Sequence, residues 1–373
     1  MLESSFRLGT VAGIRIGVHF TWFVIFLLLA FSLTSVFQAA HAEWGRGTAL
    51  VTAITTSLVF FASIVLHELG HSLVAISRGI PVRAITLFIF GGVAQTEKDA
   101  DSAATEFWIA IAGPTVSFLL AVLFYLFAIY AQSLSEPVAV ACSWLAQINL
   151  AVALFNLLPG FPLDGGRVFR AIVWGITGDA RRGMQWAFVG GKIVAHGLVL
   201  LGLFTVITTG FLLNGLWLAA IGWFLLTAVE ASARDFTLRQ ALRGVTASDI
   251  MEHDVPKVPA ATSISDWIDH QVLTAGERAS LVTENDRVVG LVTLTDSRKI
   301  GRTQWGSYRV RDVMTPAHDL RVVRPDTPIM EVMRLMHQFS FNQVPVGRDE
   351  AIEGWIDRMR LLQIMQLHVE TGR

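Results

Sequence analysis

An uncharged run of residues, Ala49–Leu66, constrains the fold of this chain most strongly. It is nearly long enough to cross a lipid bilayer as one helix, and it leads directly into the pentad His67–His71, which reads H-E-L-G-H. On a helix, residues four positions apart share one face, so both imidazoles can reach one metal ion. Glu68 can then act as a general base toward a water molecule at the metal. The alternative, a polar patch on a buried helix, is costly because three ionisable side chains would lie at membrane depth.

The composition assigns this metal site to a membrane domain. Of the 373 residues, 53% are hydrophobic and the mean hydropathy is +0.54, too apolar for an ordinary soluble protein. Charged side chains are sparse up to residue 230 and frequent after it, so we expect a membrane domain over residues 1–230 and then a soluble domain. The formal net charge of -1 gives no indication of nucleic-acid binding. The single cysteine, Cys142, excludes an intrachain disulfide bond.

The distribution of uncharged runs predicts six membrane-spanning helices. Residues 193–229 would measure about 55 Å as one helix, against a hydrocarbon core of about 30 Å. We therefore expect a hairpin of two helices there, turning near Thr209-Gly210 or Asn214-Gly215. The other predicted spans are about Gly17–Ala40, the helix that carries the pentad, Phe107–Ser135 and Pro137–Leu163.

Basic residues predict the orientation of these spans. Arg7 and Arg15 precede the first span, and further basic side chains lie in the segments 78–98 and 167–192. Because such residues favour the cytoplasmic side, both chain termini and the metal end of the second span are predicted to be cytoplasmic. The protein is then a multi-pass cell-membrane protein with its soluble domain in the cytoplasm.

Two segments near the predicted metal site depart from regular helix. Residues 83–96 read as two short strands about Gly91-Gly92, and such a hairpin would present an open strand edge near the metal. Residues 155–167 contain two prolines and three glycines at membrane depth. Irregular backbone at that depth is tolerated only where it is buried in protein or lines a cavity.

The soluble part contains an internal repeat. Asp249-Ile-Met251 recurs as Asp312-Val-Met314, and similar pairs follow at nearly the same offset. We expect a linker over residues 231–244 and two copies of one unit, residues 245–305 and 306–373.

At this point a family resemblance emerges. The pentad, the hairpin and the segment Asn156–Gly165 together resemble site-2 proteases, the zinc metalloproteases that cut inside membranes. The resemblance covers residues 1–230 and implies a polytopic α-helical domain with a small membrane-associated β-hairpin and one Zn²⁺ per chain. It implies Asp164 as the third zinc ligand beside His67 and His71, with Glu68 as the base. It also implies that Asn156 holds the scissile carbonyl or its oxyanion.

Two of these assignments have structural alternatives. An aspartate oxygen is an acceptable third ligand of a catalytic zinc, but Asp164 can instead form a salt bridge to Arg167 or Arg170. The amide of Asn156 suits an oxyanion donor, or it can form a hydrogen bond in helix packing.

The resemblance implies hydrolysis of a peptide bond in or near a transmembrane segment of another protein. A helical substrate must unwind, and addition of the unwound strand to the hairpin would hold it over the zinc. The edge residues expected to bind it are Ile85, Thr86, Leu87, Phe88, Ile89 and Phe90. The usual role of such enzymes is to release a membrane-held regulator, such as an anti-sigma factor or a pro-transcription factor.

The repeat resembles a tandem pair of CBS domains, an α/β module also called a Bateman domain. Such pairs bind ATP, ADP or AMP between their copies, and the first copy matches the family's G-x-x-[ST]-x-x-D pattern with Thr293 and Asp296. The second copy has Asp357 and Arg360 at these positions, which puts a second nucleotide site in doubt. The resemblance also implies a homodimer through the CBS domains, and the alternative function is a purely structural dimerisation module.

A second class of protein also has to be weighed. A CBS-bearing ion transporter or channel would explain six spans and intramembrane charges, but it leaves H-E-x-x-H and L-D-G as coincidences. Metal analysis separates the two classes, since only the protease should lose a tightly bound zinc on substitution of His67.

Overall fold

Long apolar helices dominate the first of two compact units, which divide between Ala233 and Arg234. The computed structural model describes residues 6–88, 91–96, 98–348 and 351–371. Within these residues, six helices are long and apolar enough to cross a membrane, which confirms the predicted number of spans. The spans are α1 (Thr21–Ala40), α2 (Arg46–Ser77), α3 (Ala103–Ala131), α4 (Glu136–Asn156), α6 (Ala180–Thr209) and α7 (Leu212–Ala241), with α5 (Asp164–Thr177) between the fourth and fifth.

The helices agree with the prediction at one turn and differ from it at two places. The hairpin predicted over residues 193–229 turns at Gly210, between α6 and α7, so the first of the two predicted turns is correct. The φ of +71° at this position favours glycine. Helix α7 continues to Ala241 and takes up most of the predicted linker. The short helix α5 was not predicted, because two glycines in its first turn suggested irregular backbone.

A four-stranded sheet packs against the part of α2 that carries the pentad. Its strands are β1 (Phe6–Val11), β2 (Ile14–Val18), β3 (Val82–Phe88) and β4 (Gly91–Thr96), in that spatial order. The predicted hairpin is present as β3 and β4, with Ile85 opposite Ala94. The pair β1–β2 was missed, since Gly17 was assigned to the first span. Buried Ile14 and Ile85 join Leu69 of α2 and Ile109 of α3 in one apolar core.

The open strand edge expected along Ile85–Leu87 is not present in the structure. Strand β3 pairs with β4 on one side and, in parallel, with β2 on the other, where Ile85 lies opposite Ile16. Strand β3 is therefore paired on both sides along Ile85–Leu87, and no further strand can be added there. Ile89 and Phe90 lie outside the described residues. Among the described strands of this sheet, the edges are β1 and β4.

The second unit contains the two predicted copies of the repeat. The first copy has the sheet β5-β6-β7 with β8 beside β7, and the second has the antiparallel pair β9–β10. The strands are β5 (Lys257–Pro259), β6 (Ala279–Glu284), β7 (Arg287–Thr293), β8 (Thr315–Pro316), β9 (Gln343–Arg348) and β10 (Ala351–Asp357). The helices are α8 (Ala247–Ile250), α9 (Ile264–Trp267), α10 (Leu294–Ser297), α11 (Val310–Val313), α12 (Ile329–Phe339) and α13 (Arg358–Thr371).

The leading segment of each copy packs in the core of the other copy. Ala247 and Ile250 of α8 lie in the same core as Ile329 of the second copy. Conversely, Val310 of α11 lies in the core around Trp267 of the first copy. The two copies are therefore interlocked, and a cut between residues 305 and 306 would remove α11 from the core that it fills.

This exchange predicts the effect of shortening Val310. Val310 is 0% exposed, so Val310→Ala should lower the free energy of unfolding of the second unit by about 2 kcal/mol through lost burial and a residual cavity. The matched control is Val322→Ala, at a side chain that is 45% exposed, which should change the free energy of unfolding by less than about 0.5 kcal/mol. Urea unfolding of residues 234–373 measures both. An equal loss of unfolding free energy in the two variants would contradict the packing of α11 in the core of the first copy.

Candidate metal centre

The two histidines of the pentad lie buried on one face of α2. His67 is 5% exposed and His71 is 7% exposed, and their Nε2 atoms are 3.2 Å apart. The helix thus presents both nitrogens to the same point, as the spacing of four residues predicted.

Asp164, the first residue of α5, brings a carboxylate oxygen to this point. Its Oδ2 lies 3.1 Å from His67 Nε2 and 3.2 Å from His71 Nε2. Nitrogen and oxygen ligands at about 2.0–2.1 Å around a tetrahedral zinc ion would be about 3.3 Å from one another. Two imidazoles and one carboxylate at these separations therefore fit a zinc ion and leave a fourth position for a reacting molecule.

The alternative partners of Asp164 are engaged elsewhere. Arg167 Nε donates to Glu106 Oε1 at 3.0 Å, and Arg170 lies 3.6 Å from the same oxygen. The salt bridge from Asp164 to either arginine is thus not the arrangement in the structure. Sequence reasoning missed Glu106, which lies in a loop-to-helix segment with no motif around it.

Helix α3 holds the outer nitrogens of both imidazoles. His71 Nδ1 donates to the carbonyl oxygen of Ile109 at 2.6 Å, and His67 Nδ1 lies 2.8 Å from the Ser117 hydroxyl. A hydrogen bond at Nδ1 fixes the ring and leaves the lone pair of Nε2 toward the metal position. Neither contact was predicted, because a backbone carbonyl and a lone serine carry no metal-binding motif.

Gly113 of α3 makes room for the two imidazoles. A Cβ atom at this position would lie 2.1 Å from His71 Nε2 and 2.6 Å from His67 Nε2, well inside van der Waals contact. Only glycine therefore lets α3 pass this close to the metal position. In the sequence, Gly113 and Ser117 stand four residues apart and so share one helix face; that spacing is the signal that could have pointed to this face, and sequence reasoning missed it.

Glu68 lies on the same turn of α2 as the histidines and is partly exposed. Strand β4 passes close to it, because a Cβ added at Gly92 would lie 2.5 Å from Glu68 Cγ. The glycine thus allows the edge strand of the sheet to approach the carboxylate.

Asn156 ends α4 next to the start of α5. A Cβ at Gly165 would lie 2.3 Å from the backbone of Leu157, so the turn that carries Asp164 packs directly on the end of α4. The Asn156 side-chain amide has no hydrogen-bond partner among the described residues, so the alternative of a packing hydrogen bond is not realised there. Asn149, left as structural, donates from its amide to the carbonyl of Leu145 at 2.8 Å.

A separate cavity in the second unit contains the predicted nucleotide residues. It has a volume of about 230 Å³ and lies between the two copies. Asp296 accepts hydrogen bonds from the Thr293 hydroxyl at 2.7 Å and the Thr293 N–H at 2.9 Å, and it pairs with Lys299 at 2.7 Å. The lining includes Leu291, Thr293, Thr295, Asp296, Arg321, Phe341 and Asn342. Arg321 is the cationic group that sequence reasoning missed.

The corresponding residues of the second copy are used differently. Asp357 accepts from the Gln343 amide and from the Met359 N–H, each at 2.7 Å. Arg360 Nε lies 3.3 Å from Glu252. These contacts agree with the departure of the second copy from the nucleotide-binding pattern.

Comparison with known proteins places the chain in a family. The sequence profile of peptidase family M50 matches residues 55–142 and 129–197, and that of the CBS domain matches residues 247–296 and 310–366. The chain is 32% identical over 373 residues to sll0528 of Synechocystis sp. (strain ATCC 27184 / PCC 6803 / Kazusa), covering 98% of this chain and 96% of that one. It is 33% identical over 375 residues to Rip3 of Mycobacterium tuberculosis, covering 98% and 95%. Both relatives are named as zinc metalloproteases.

A solved structure is also similar to part of this chain. The site-2 protease from Methanocaldococcus jannaschii is 29% identical to this chain, with a TM-score of 0.38, covering 61% of this chain and 94% of that one.

The class of protein follows from these findings: a membrane-embedded zinc metalloprotease. About a third of its residues are identical to those of such proteins over nearly its whole length. The chain therefore belongs to peptidase family M50, the site-2 proteases. It also carries a pair of CBS domains. The resemblance inferred from the motifs is confirmed.

The position of Gly113 generates a prediction for metal binding. Gly113→Ala should reduce zinc affinity by at least about a hundredfold, because its methyl group would overlap both ligand nitrogens. Gly175→Ala is the matched control, since a Cβ there would meet only an ordinary contact at 3.7 Å. Zinc content after dialysis of the purified full-length protein measures the difference. Full retention of zinc in Gly113→Ala would show that α3 does not border the metal position.

Proposed function

We propose that this protein is an intramembrane endopeptidase that hydrolyses a peptide bond in or near a transmembrane segment of a membrane-anchored protein. The observation that carries the proposal is the convergence of His67, His71 and Asp164 to separations of 3.1–3.2 Å beside Glu68, at the end of a membrane-spanning helix. Ion transport does not require a carboxylate such as Glu68 beside the metal ligands, whereas metal-assisted hydrolysis requires a base at that place. The competing class is therefore disfavoured.

Each of these residues has a role that its chemistry suits. Bound zinc supplies a Lewis acid that polarises the scissile carbonyl. Glu68 takes a proton from the attacking water and delivers it to the departing amine. The amide of Asn156 donates a hydrogen bond to the carbonyl oxygen as negative charge develops on it. Its position at the end of α4, where the turn that carries Asp164 packs, supports this role.

The substrate segment would be held as an added strand on β4. A helix hides its carbonyls in its own hydrogen bonds, so the substrate must unwind before it is cut. Strand β4 has the free edge that β3 lacks, and its Gly92 lies against Glu68. This moves the proposed edge from Ile85–Phe90 to Gly91–Thr96. Release of an anti-sigma factor or a pro-transcription factor is the biological role that fits such a reaction.

The CBS pair would make this activity responsive to adenine nucleotide. Basic residues favour a cytoplasmic position for both termini and the CBS domains, where ATP, ADP and AMP are present. The cavity between the copies offers a hydroxyl, a carboxylate and the guanidinium of Arg321, which suit ribose and phosphate. Nucleotide changes activity only by its differential affinity for the active and inactive states. Dimerisation through these domains stays a prediction.

The proposed base is tested by Glu68→Gln. This variant should keep zinc and the fold and lose peptide hydrolysis, because the amide cannot accept the proton. Asn156→Ala should also keep zinc, and its turnover should fall about a hundredfold, as for loss of one oxyanion donor. Cleavage of a transmembrane peptide by purified protein in detergent, with zinc content measured in parallel, distinguishes them. Wild-type rates from Glu68→Gln would exclude this carboxylate as the base.

The nucleotide site is tested by Asp296→Ala against a matched control. Asp249 forms the same type of capping box with Thr246 as Asp296 forms with Thr293, and the Thr246 N–H and hydroxyl lower the pKa of Asp249. Each substitution removes the carboxylate at the third helical position of a capping box and leaves the threonine N-cap in place, but only Asp296 lines the cavity. Calorimetry with ATP, ADP and AMP should show weaker binding for Asp296→Ala alone. If none of the three nucleotides gave heat of binding with the wild-type protein, the CBS pair would be a dimerisation module and not a nucleotide-binding site.

A further inference from the structure

One face of α3 contacts both histidine ligands and the helix that carries the third proposed ligand, Asp164. Glu106, Ile109, Gly113 and Ser117 recur at intervals of three or four residues and so lie on the same side of the helix. Ser117 and the Ile109 carbonyl hold the two imidazoles, and Gly113 lies between them. Glu106, the fourth member of this face, contacts no ligand and is not part of the proposed chemistry.

Glu106 is a buried carboxylate with two cationic partners. It is 2% exposed, Arg167 approaches it in a fork with Nε at 3.0 Å and Nη2 at 3.5 Å, and Arg170 Nη1 lies 3.6 Å away. Burying such charges costs several kcal/mol per ion unless the geometry is good. The fork also fixes the direction of the arginine side chain, which a single contact does not. A structure that keeps this arrangement beside the metal centre gains a rigid connection from α3 to α5.

That connection reaches the helix that carries the carboxylate ligand. Arg167 follows Asp164 by three residues, so the two side chains project from the same face of α5. The turn between them contains Gly165 and Gly166, which fit against the backbone of Leu157 and Phe161 and offer no side chains to fix the rotation of the helix.

We propose that Glu106, acting through Arg167, is the positioning residue for Asp164. The pair sets the rotation of α5 so that Oδ2 of Asp164 meets the two imidazoles, while Ser117 and Ile109 set the imidazoles themselves. One helix face thus aligns ligands from two other helices. This inference rests on the proposed zinc centre.

Zinc affinity in a double-mutant cycle tests the inference. The dissociation constant is measured by competition with a chelator on full-length protein, with folding checked by thermal unfolding. Glu106→Gln should weaken zinc binding about tenfold to a hundredfold, as for other residues that orient a ligand. In an Asp164→Ala background the same substitution should have no further effect, because the residue that it positions is gone. With Ser117→Ala, which acts on His67, the two losses should multiply.

Two further variants protect the result against a folding defect. Asp179→Asn removes a carboxylate from an exposed ion pair with Arg182 in the same unit and should leave zinc affinity unchanged. Where Glu106→Gln yields too little folded protein, Arg167→Lys keeps the charge and removes the fork, and it should show the same dependence on Asp164.

The outcomes separate the inference from the function on which it rests. An equal loss of affinity from Glu106→Gln with and without Asp164 would overturn the positioning role while leaving the zinc centre intact. Wild-type affinity in both Glu106→Gln and Arg167→Lys would overturn it as well. A wild-type protein that binds no zinc would instead overturn the metal centre itself, and this inference with it.

Discussion

The contact of the Asp164 carboxylate with the two imidazoles of α2 is the interaction on which the first unit depends. Three ionisable groups lie within 3.2 Å of one another among apolar helices. Because Asp164 follows the histidines by nearly a hundred residues, distant parts of the chain must meet to form this cluster. Such a cluster is costly to bury unless its members share a cation or neutralise one another. The close approaches at Gly113, Gly165 and Gly166 exist to permit this meeting. Each of these glycines lies where any side chain would collide with backbone or with a ligand.

Helix α3 gives the site its rigidity. The imidazoles on α2 are oriented by hydrogen bonds with the Ser117 hydroxyl and the Ile109 carbonyl of α3, and the charged pair of Glu106 and Arg167 connects α3 to α5. The sheet then covers the same part of α2 from another side, with Gly92 against Glu68. The site is thus built from elements whose positions are set by one another. This is the preorganisation that a reaction with developing charge requires, because the dipoles need not rearrange as it proceeds.

The sequence predicted the parts of this structure that follow from local patterns. The six spans follow from uncharged runs and the thickness of a bilayer, and the glycines narrowed the last turn to two places, of which the structure has Gly210. The pairing of His67 with His71 follows from helix periodicity. What it did not predict depends on contacts between distant segments. The strands β1 and β2 cover the edge of β3, so the hairpin could not be recognised as the interior of a larger sheet. Glu106 is an ordinary acidic residue until α5 brings Arg167 to it, and the interlocking of the two CBS copies is likewise visible only in three dimensions.

X-ray absorption at the zinc edge of the purified full-length protein tests the central claim most directly. The geometry of His67, His71 and Asp164 predicts one zinc per chain with nitrogen and oxygen neighbours at about 2.0–2.1 Å, and multiple-scattering features from two imidazoles. On substitution of Asp164 by alanine, the two imidazole contributions should persist in whatever zinc remains. Absence of zinc from the wild-type protein, a sulfur neighbour at about 2.3 Å, or a number of imidazoles other than two would contradict the metal centre on which this function rests.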